Sequence, residues 1–457
     1  VREKRMEANL EQTVALIDTA FTSGNLSSLT GIMAGMRAAD VAEVMTVFPI
    51  EQRGLVFHSL DTNIASETLT FLEEGAAKEL LGTLDEMEIV RLVELMASDD
   101  AADIISLLPP DQAQRVLRRI KREEYEDVLA LLRFDEESAG GLMAREIIMV
   151  RSGITISGVI ALLRKQADEI EHVQNIYVVD RQGVLLGLIP VFSLLVLDPE
   201  SRVDEVMTRD VVSVTVDTDQ EDVAAVFAKY DLYSLPVVDQ RGRLVGRITV
   251  DDIIDVIEEE ASEDITMMAG TGDEEFGERS PIKVSRARLP WLLTGLFGGI
   301  ASAFVMNHFR NSIESVLTLA FFVPVITAMG GNVGIQSSAI VVRELAIGST
   351  GLMRTSSKLL RELKVSLING FVLGSVLLII TLVWQRNYRL GLLIGLCLLM
   401  IILWATLMGA IVPLLLKRMN IDPALATGPF ITTSNDILGI LAYLGIATLF
   451  LDWLGGG

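Results

Sequence analysis

The chain has 457 residues, is 50% hydrophobic and carries a formal net charge of −23, so it has the length for several domains and the composition of a membrane protein. Before residue 281 there are 55 Asp and Glu against 25 Lys and Arg, and from 281 onward 6 against 13. The acidic part has no basic stripe to hold a phosphate backbone, which excludes nucleic acid as a partner, and one cysteine with three histidines excludes a disulfide framework or a Cys/His metal set.

An acidic surface attracts cations, although acidity also simply keeps a large cytosolic region soluble. The N-terminus shows no short apolar segment between a basic flank and a small-residue cleavage site, so no secretory signal is expected. Residues 1–135 read as helix after helix. MRAADVAEVMTVFPIEQRGLVFHSL from Met36 lines up with MASDDAADIISLLPPDQAQRVLRRI from Met96, an offset of 60 that superposes Asp40 on Asp100, Pro49 on Pro109 and Gln52 on Gln112. With a similar rhythm between them, the segment is expected to be a small helical solenoid presenting a binding face.

A second repeat occupies 136–255. YVVDRQGVLLGLIPVFSLL from Tyr177 parallels PVVDQRGRLVGRITVDDII from Pro236. Each copy has a β-branched run, a Gly-containing turn, a second strand and a helix, and each follows an amphipathic helix (SGVIALLRKQ, QEDVAAVFAKY). The pattern resembles a tandem CBS domain pair, with the glycine, strand, Thr and helix-borne Asp signature in the second copy as GRLVGRITVDDIID, residues 242–255. In the first copy Pro190 and Val191 stand where the second has Thr249 and Val250, and the Asp is missing.

IIDVIEEEASEDITMM, residues 253–268, continues as an acidic helix; residues 256–285 are taken as a connecting or plug helix and linker, and 286–457 as the membrane domain. Five apolar segments, near 289–309, 316–342, 360–384, 390–416 and 424–452, are each long enough to cross about 30 Å of hydrocarbon. Lys283, Arg286 and Arg288 precede the first, Arg343, Arg354, Lys358, Arg361 and Lys364 lie between the second and third, and Lys417 and Arg418 between the fourth and fifth. The other side has only Arg310, Arg386 and Arg389. This asymmetry puts the acidic half in the cytoplasm and the C-terminus outside.

The last span contains Asp436, in TTSNDILGI. An Asp at mid-membrane costs on the order of 3 kcal/mol and tends to face a bundle interior or a wet pathway; a helix–helix hydrogen bond is the plainer use. Pro423, Gly428, Pro429, Thr432, Thr433, Ser434 and Asn435 precede it, and Pro324, Gly330, Gly331, Asn332, Gly334 and Gln336 interrupt the second span. Two discontinuous polar helices lining a pore are expected, with the Thr432 carbonyl one turn from Asp436 and Asn332 on the second helix. Oxygen donors without a Cys, His or Met cluster favour a hard cation. One carboxylate is a weak counter-charge for a divalent ion, and a symmetric dimer would supply the second. Mg²⁺, which keeps its waters, suits such a site.

This order of domains, with PVITAMGGNVGIQS and DPALATGPFITTSND in the spans, resembles the MgtE family of bacterial magnesium channels or transporters over essentially the whole chain. The resemblance implies a homodimeric Mg²⁺-selective protein of the inner membrane, closed by intracellular Mg²⁺, with ATP as a modulator at the CBS pair. It makes Asp436 the pore acid. It also implies regulatory carboxylates at Asp99 and Asp103, at Glu221, Asp231 and Asp252, at Glu260, Glu263 and Asp264 on the connecting helix, and at Asp422 at the cytoplasmic mouth. Gly428 departs from relatives that carry Asn there. Independently of the family, Asp99 and Asp103, Glu260 and Asp264, and Asp251 and Asp255 are like charges at i,i+4 whose repulsion an interposed cation would relieve. No phosphate-binding GxxxxGK[ST] loop or catalytic constellation is present, which argues against an enzyme. The rival readings are a transporter of Co²⁺ or Ca²⁺ and a membrane-anchored sensor whose spans only dimerise.

Overall fold

The computed structural model describes residues 2–166, 173–271, 280–346, 352–419, 421–426 and 428–455, and the chain divides into two compact units, 1–256 and 257–457. In the first unit, short helices start at Ala38, Ile50, Thr62, Glu74, Glu86, Ser98, Pro110 and Arg122, one every 12 residues. The 60-residue repeat is therefore five steps of a shorter one. Each helix is only two to three turns long, too short to hold itself together in water, and is stabilised by packing on the next but one: Ala38–Thr46 on Thr62–Thr70, that on Glu86–Val93, and that on Pro110–Leu117. Local signals set the starts. Asp85 and Glu88 form a reciprocal capping box, and Pro110 occupies the first helical turn. The apolar stripe of every helix, from Val41 and Val44 to Ile104 and Ile105, enters one continuous core.

The two α/β repeats have the same topology. Strand β1 (Met149–Arg151) pairs parallel with β2 (Asn175–Val179), which pairs antiparallel with β3 (Leu185–Pro190); β4 (Val214–Thr215), β5 (Ser234–Val238) and β6 (Leu244–Thr249) repeat this order. The turn between the last two strands of each copy is also the same: Asp180 accepts from the amides of Gln182 and Val184, and Asp239 from those of Arg241 and Arg243. Gly183 and Gly242 take positive φ of 85° and 74°, a conformation that favours glycine. These turns then pair with one another through Leu185 N–H to Gly242 O (3.1 Å) and Leu244 N–H to Gly183 O (3.0 Å). The copies diverge where the sequence does. After Pro190 only a 3₁₀ turn, Val191–Leu195, forms, whereas after Thr249 a helix runs from Val250 to Ala269.

In the second unit, five helices among the described residues are long and apolar enough to cross a membrane: Pro281–His308, Thr318–Leu345, Leu359–Gln385, Tyr388–Arg418 and Pro429–Leu449. The fourth span is central and the most buried, packing on the second, third and fifth. Gly374 and Gly395 let the third and fourth cross closely, since a Cβ on either would stand 2.7 Å from the other's carbonyl oxygen. The fifth span is held toward its C-terminal end by Tyr443 Oη donating to Leu319 O (3.0 Å).

One expectation is corrected here. The second span is a continuous helix, Thr318–Ala346, through Pro324, Gly330 and Gly331, and Asp436 lies inside a continuous helix that begins at Pro429. The break falls earlier, in a 3₁₀ turn at Pro423–Ala426 and at the N-cap Gly428. Helix propensity counts against glycine by about 1 kcal/mol per residue, but here neighbouring spans fill the space it leaves.

Candidate cation sites

The membrane site is built from the fifth span inward. Thr432 lies against Gly331 of the second span, where a Cβ would be 3.2 Å from its methyl carbon, and the Thr433 methyl occupies the space a Cβ on Gly298 of the first span would need. At about 100° per residue, Asp436 falls between these two directions, about 40° from Thr432 and about 60° from Thr433. Its carboxylate is therefore aimed at the seam of the first and second spans, and it is half-buried there. In a regular helix the Thr432 carbonyl is engaged by the Asp436 amide, so its contribution to an ion is reduced to an outward lone pair. Asn332 lies on an exposed part of the second span, while Gly330, Gly331 and Gly334 are buried.

Sequence reasoning missed Asn435. It is 2% exposed, and its Nδ2 donates to Gly330 O at 3.3 Å. The signal was present: an amide next to the acid, opposite two glycines at i,i+4.

At the start of this span sits the end of the connecting helix. Gly270, at φ 73°, closes it with a Schellman cap in which Gly270 N–H bonds Met267 O (3.0 Å) and Thr271 N–H bonds Thr266 O (2.9 Å). A Cβ on Gly428 would stand 2.9 Å from Met268 O, and one on Gly270 would stand 3.1 Å from Pro429. This contact explains the glycine at 428: a larger residue would prop the helix away. Asp264 is half-buried on the connecting helix, its carboxyl raised by burial and then by the negative charge of Asp422. Asp422 is itself exposed and caps the 3₁₀ turn through Ala424 N–H (2.8 Å). Glu260 and Glu263 are half-buried on the same helix.

The first unit holds a second acidic centre. Asp99 and Asp100 lie in the first turn of helix Ser98–Ser106, and Asp252 in the first turn of the helix that starts at Val250. Burial, then the charge of Asp252, pushes Asp99 well above the usual carboxylate range, and its Oδ1 is buried without a hydrogen-bond partner. Asp100 is pushed up to about 6 by burial and then by Asp252 and Asp251. Asp252 also rises to about 6, mainly through burial and despite accepting from Thr249 N–H (3.1 Å) and Oγ1 (2.8 Å).

Glu146 completes the centre. It accepts from Ser98 N–H (3.2 Å) and Ser98 Oγ (2.9 Å), and so ties the acidic helix to the segment entering the first α/β repeat. Next to it, Ala144 exchanges backbone hydrogen bonds with Arg247 of β6 (2.8 and 2.9 Å), two residues before Thr249. Glu146 and Asp100 were not among the expected site residues; the DDAAD run was the available sign of Asp100.

Other expected residues are not brought together within the chain. Asp103 is exposed whereas Asp99 is not, and Glu221 and Asp231 sit at opposite ends of helix Gln220–Tyr230, about 15 Å apart at the helical rise. Asp231 takes the left-handed conformation that ends this helix, with φ 51°. Among the described residues no group of three or more His, Cys, Asp or Glu side chains is placed to hold a metal ion on its own. All the donors are oxygen, and the unpartnered Oδ1 of Asp99 is a free acceptor within the centre, so the residues fit a hard, partly hydrated cation.

Comparison with known proteins identifies the family and its domains. Residues 323–446 match a family model described as a divalent cation transporter, MgtE; residues 36–137 match the MgtE intracellular N domain, and 203–259, the second α/β repeat, a CBS domain. The chain is 41% identical to the magnesium transporter MgtE of Thermus thermophilus over 71% of its own length and 73% of the relative's. It is 31% identical to that of Bacillus subtilis over 97% and 98%. The cytosolic domain of an Mg²⁺ channel MgtE, solved in complex with ATP, superposes with a TM-score of 0.51 at 36% identity, covering 53% of this chain and 99% of that one.

Proposed function

Because the chain belongs to the MgtE family of magnesium transporters, we propose that it carries Mg²⁺ across the bacterial inner membrane, with Asp436 as the acid that receives the hydrated ion. The observation that supports this most is the setting of Asp436: a half-buried carboxylate in an apolar helix, aimed at a seam between two other spans. An acid there is costly unless it meets water or a cation. Two chains related by a two-fold axis would pair two copies of Asp436 and match the charge of a divalent ion. Asn332, on the exposed part of the second span, is then positioned by the partner rather than by its own chain.

The acidic half is the cytoplasmic sensor in this proposal. Asp99, Asp100 and Asp252 repel one another, so the clamped arrangement is favoured when Mg²⁺ supplies the missing positive charge. Asp103, Glu221 and Asp231 serve the same purpose across chain contacts, and Glu260, Glu263, Asp264 and Asp422 serve it at the mouth of the path, where the connecting helix rests on Gly428. ATP, bound by the solved relative, acts here as a modulator of the α/β pair. The excess of Lys and Arg between spans two and three and between four and five supports an orientation with this half inside and the C-terminus outside.

Mg²⁺ flux into liposomes carrying the purified chain tests the core of the proposal. Flux is expected for the parent and not for Asp436→Ala; equal flux from both removes Asp436 from the path, and no flux from the parent leaves a sensor. Preference for Ca²⁺ or Co²⁺ over Mg²⁺ in the same assay would reassign the substrate.

A further inference from the structure

We infer that Asn435 is a positioning residue for transport: its amide fixes the rotation of the fifth span against the second and thereby the direction in which Asp436 points. The inference rests on the assignment of Asp436 to the ion path. Residue 435 is the immediate helical neighbour of the acid, so locking one fixes the other at about 100° around the axis.

The lock has three parts. Asn435 Nδ2 donates to the carbonyl of Gly330 at 3.3 Å. One turn further along the second span, Gly334 leaves the space that the same Nδ2 fills; a Cβ there would overlap it. Behind Gly334, the fourth span closes in at Gly409, where a Cβ would stand 2.5 Å from Gly334 O and 2.9 Å from Ser337 Cβ. The second span is thus wedged between Asn435 and the fourth span, and cannot retreat from the amide.

Packing alone does not account for the amide. Asn435 Oδ1 is buried without a hydrogen-bond partner, a cost that an apolar side chain of similar size would avoid. Turning the amide over would set its oxygen against the Gly330 carbonyl, so the observed orientation is the one the neighbours require. A rotation of the fifth span by one residue would turn Asp436 into the glycine face of the second span, where it would be sealed from any ion. The directional bond opposes that rotation, and Leu would not.

The test uses the full chain in liposomes. Asn435→Leu is expected to remain folded, with Tm within about 3 °C of the parent, and to change the Mg²⁺ half-saturation or the Mg²⁺/Ca²⁺ flux ratio by at least about tenfold. Gly334→Ala, which crowds the amide without removing it, should shift the same quantities in the same direction and carries the test if Asn435→Leu does not fold. Ser366→Ala removes a buried bond between the third and fourth spans (Ser366 and Thr406 hydroxyls, 2.5 Å) and should leave both quantities unchanged. Parent-like selectivity in Asn435→Leu and Gly334→Ala, or an equal shift in Ser366→Ala, would overturn the inference. Asp436→Asn separates the two readings: if it alters transport while Asn435→Leu does not, the positioning role falls and the pore acid stands; if Asp436→Asn is silent, both fall.

Discussion

The two units handle carboxylates in opposite ways. The first buries Asp99, Asp100 and Asp252 close to one another, and burial first, then neighbouring negative charge, raises the pKa of each of these three. The second isolates Asp436 in a helix where the described residues offer no other acid to complete a metal group. A crowded set is unstable without a cation and therefore responds to its concentration. A single acid holds a divalent ion more weakly than several do. On the proposed function, sensing would use the crowded set and conduction the single acid.

Neutralising the two kinds of acid should have opposite consequences. Asp436→Asn is expected to lower Mg²⁺ flux at least about 100-fold without changing Tm, whereas Asp252→Asn, which keeps an acceptor for Thr249, should leave maximal flux intact. In Asp252→Asn combined with Glu260→Ala, millimolar Mg²⁺ should no longer protect the acidic half from protease; intact protection would end the sensor assignment.

The sign of the pH dependence follows from the raised values. Asp100 and Asp252 bind protons more readily when folded, with pKa about 6, than at the ordinary value of 3.8. Their burial therefore destabilises the folded unit above pH 6, and stability is regained as pH falls from 7 toward 5. In metal-free protein the Tm of the acidic unit should rise by several degrees over that interval, on the order of 5 °C, and Asp252→Asn should flatten the rise. A parent and variant with the same pH profile would separate Asp252 from the repulsive set.

Gly428→Ala sets a methyl against the Met268 carbonyl and should weaken closure by Mg²⁺ a few-fold, read as a higher Mg²⁺ concentration for half-maximal inhibition of flux. The smallest effect is expected for Glu146→Gln, which keeps one acceptor for Ser98 and removes one negative charge; a change of about 1 kcal/mol or less in metal-free stability, seen in urea unfolding, distinguishes a tie between segments from a ligand. A large loss of Mg²⁺ protection in the same variant would mark it as a ligand.

Much of this was legible in the sequence. The five spans, the topology of the α/β repeats and the acidic helix after Thr249 follow from local patterns: apolar length, strand–Gly–strand alternation, and a Pro or Thr at the start of a helix. The helical solenoid was legible too, but its 12-residue step was not, because a 60-residue comparison finds the best-matched pair and passes over the intermediate ones. What local patterns misjudged was glycine. Gly330, Gly331 and Gly428 read as breaks, yet two of them lie within a helix and serve close approach to the fourth and fifth spans.

The sequence by itself determined which residues carry charge, where the chain enters the membrane and that one acid, Asp436, stands within it. Only the tertiary structure decided which way that acid faces, that Asn435 meets the carbonyl of Gly330, and that Asp99 joins Asp252 while Glu221 and Asp231 stay apart. Hydrophobic period and turn chemistry act over a few neighbouring residues, whereas the contacts of an amide with a glycine 105 residues away exist only once the helices have packed.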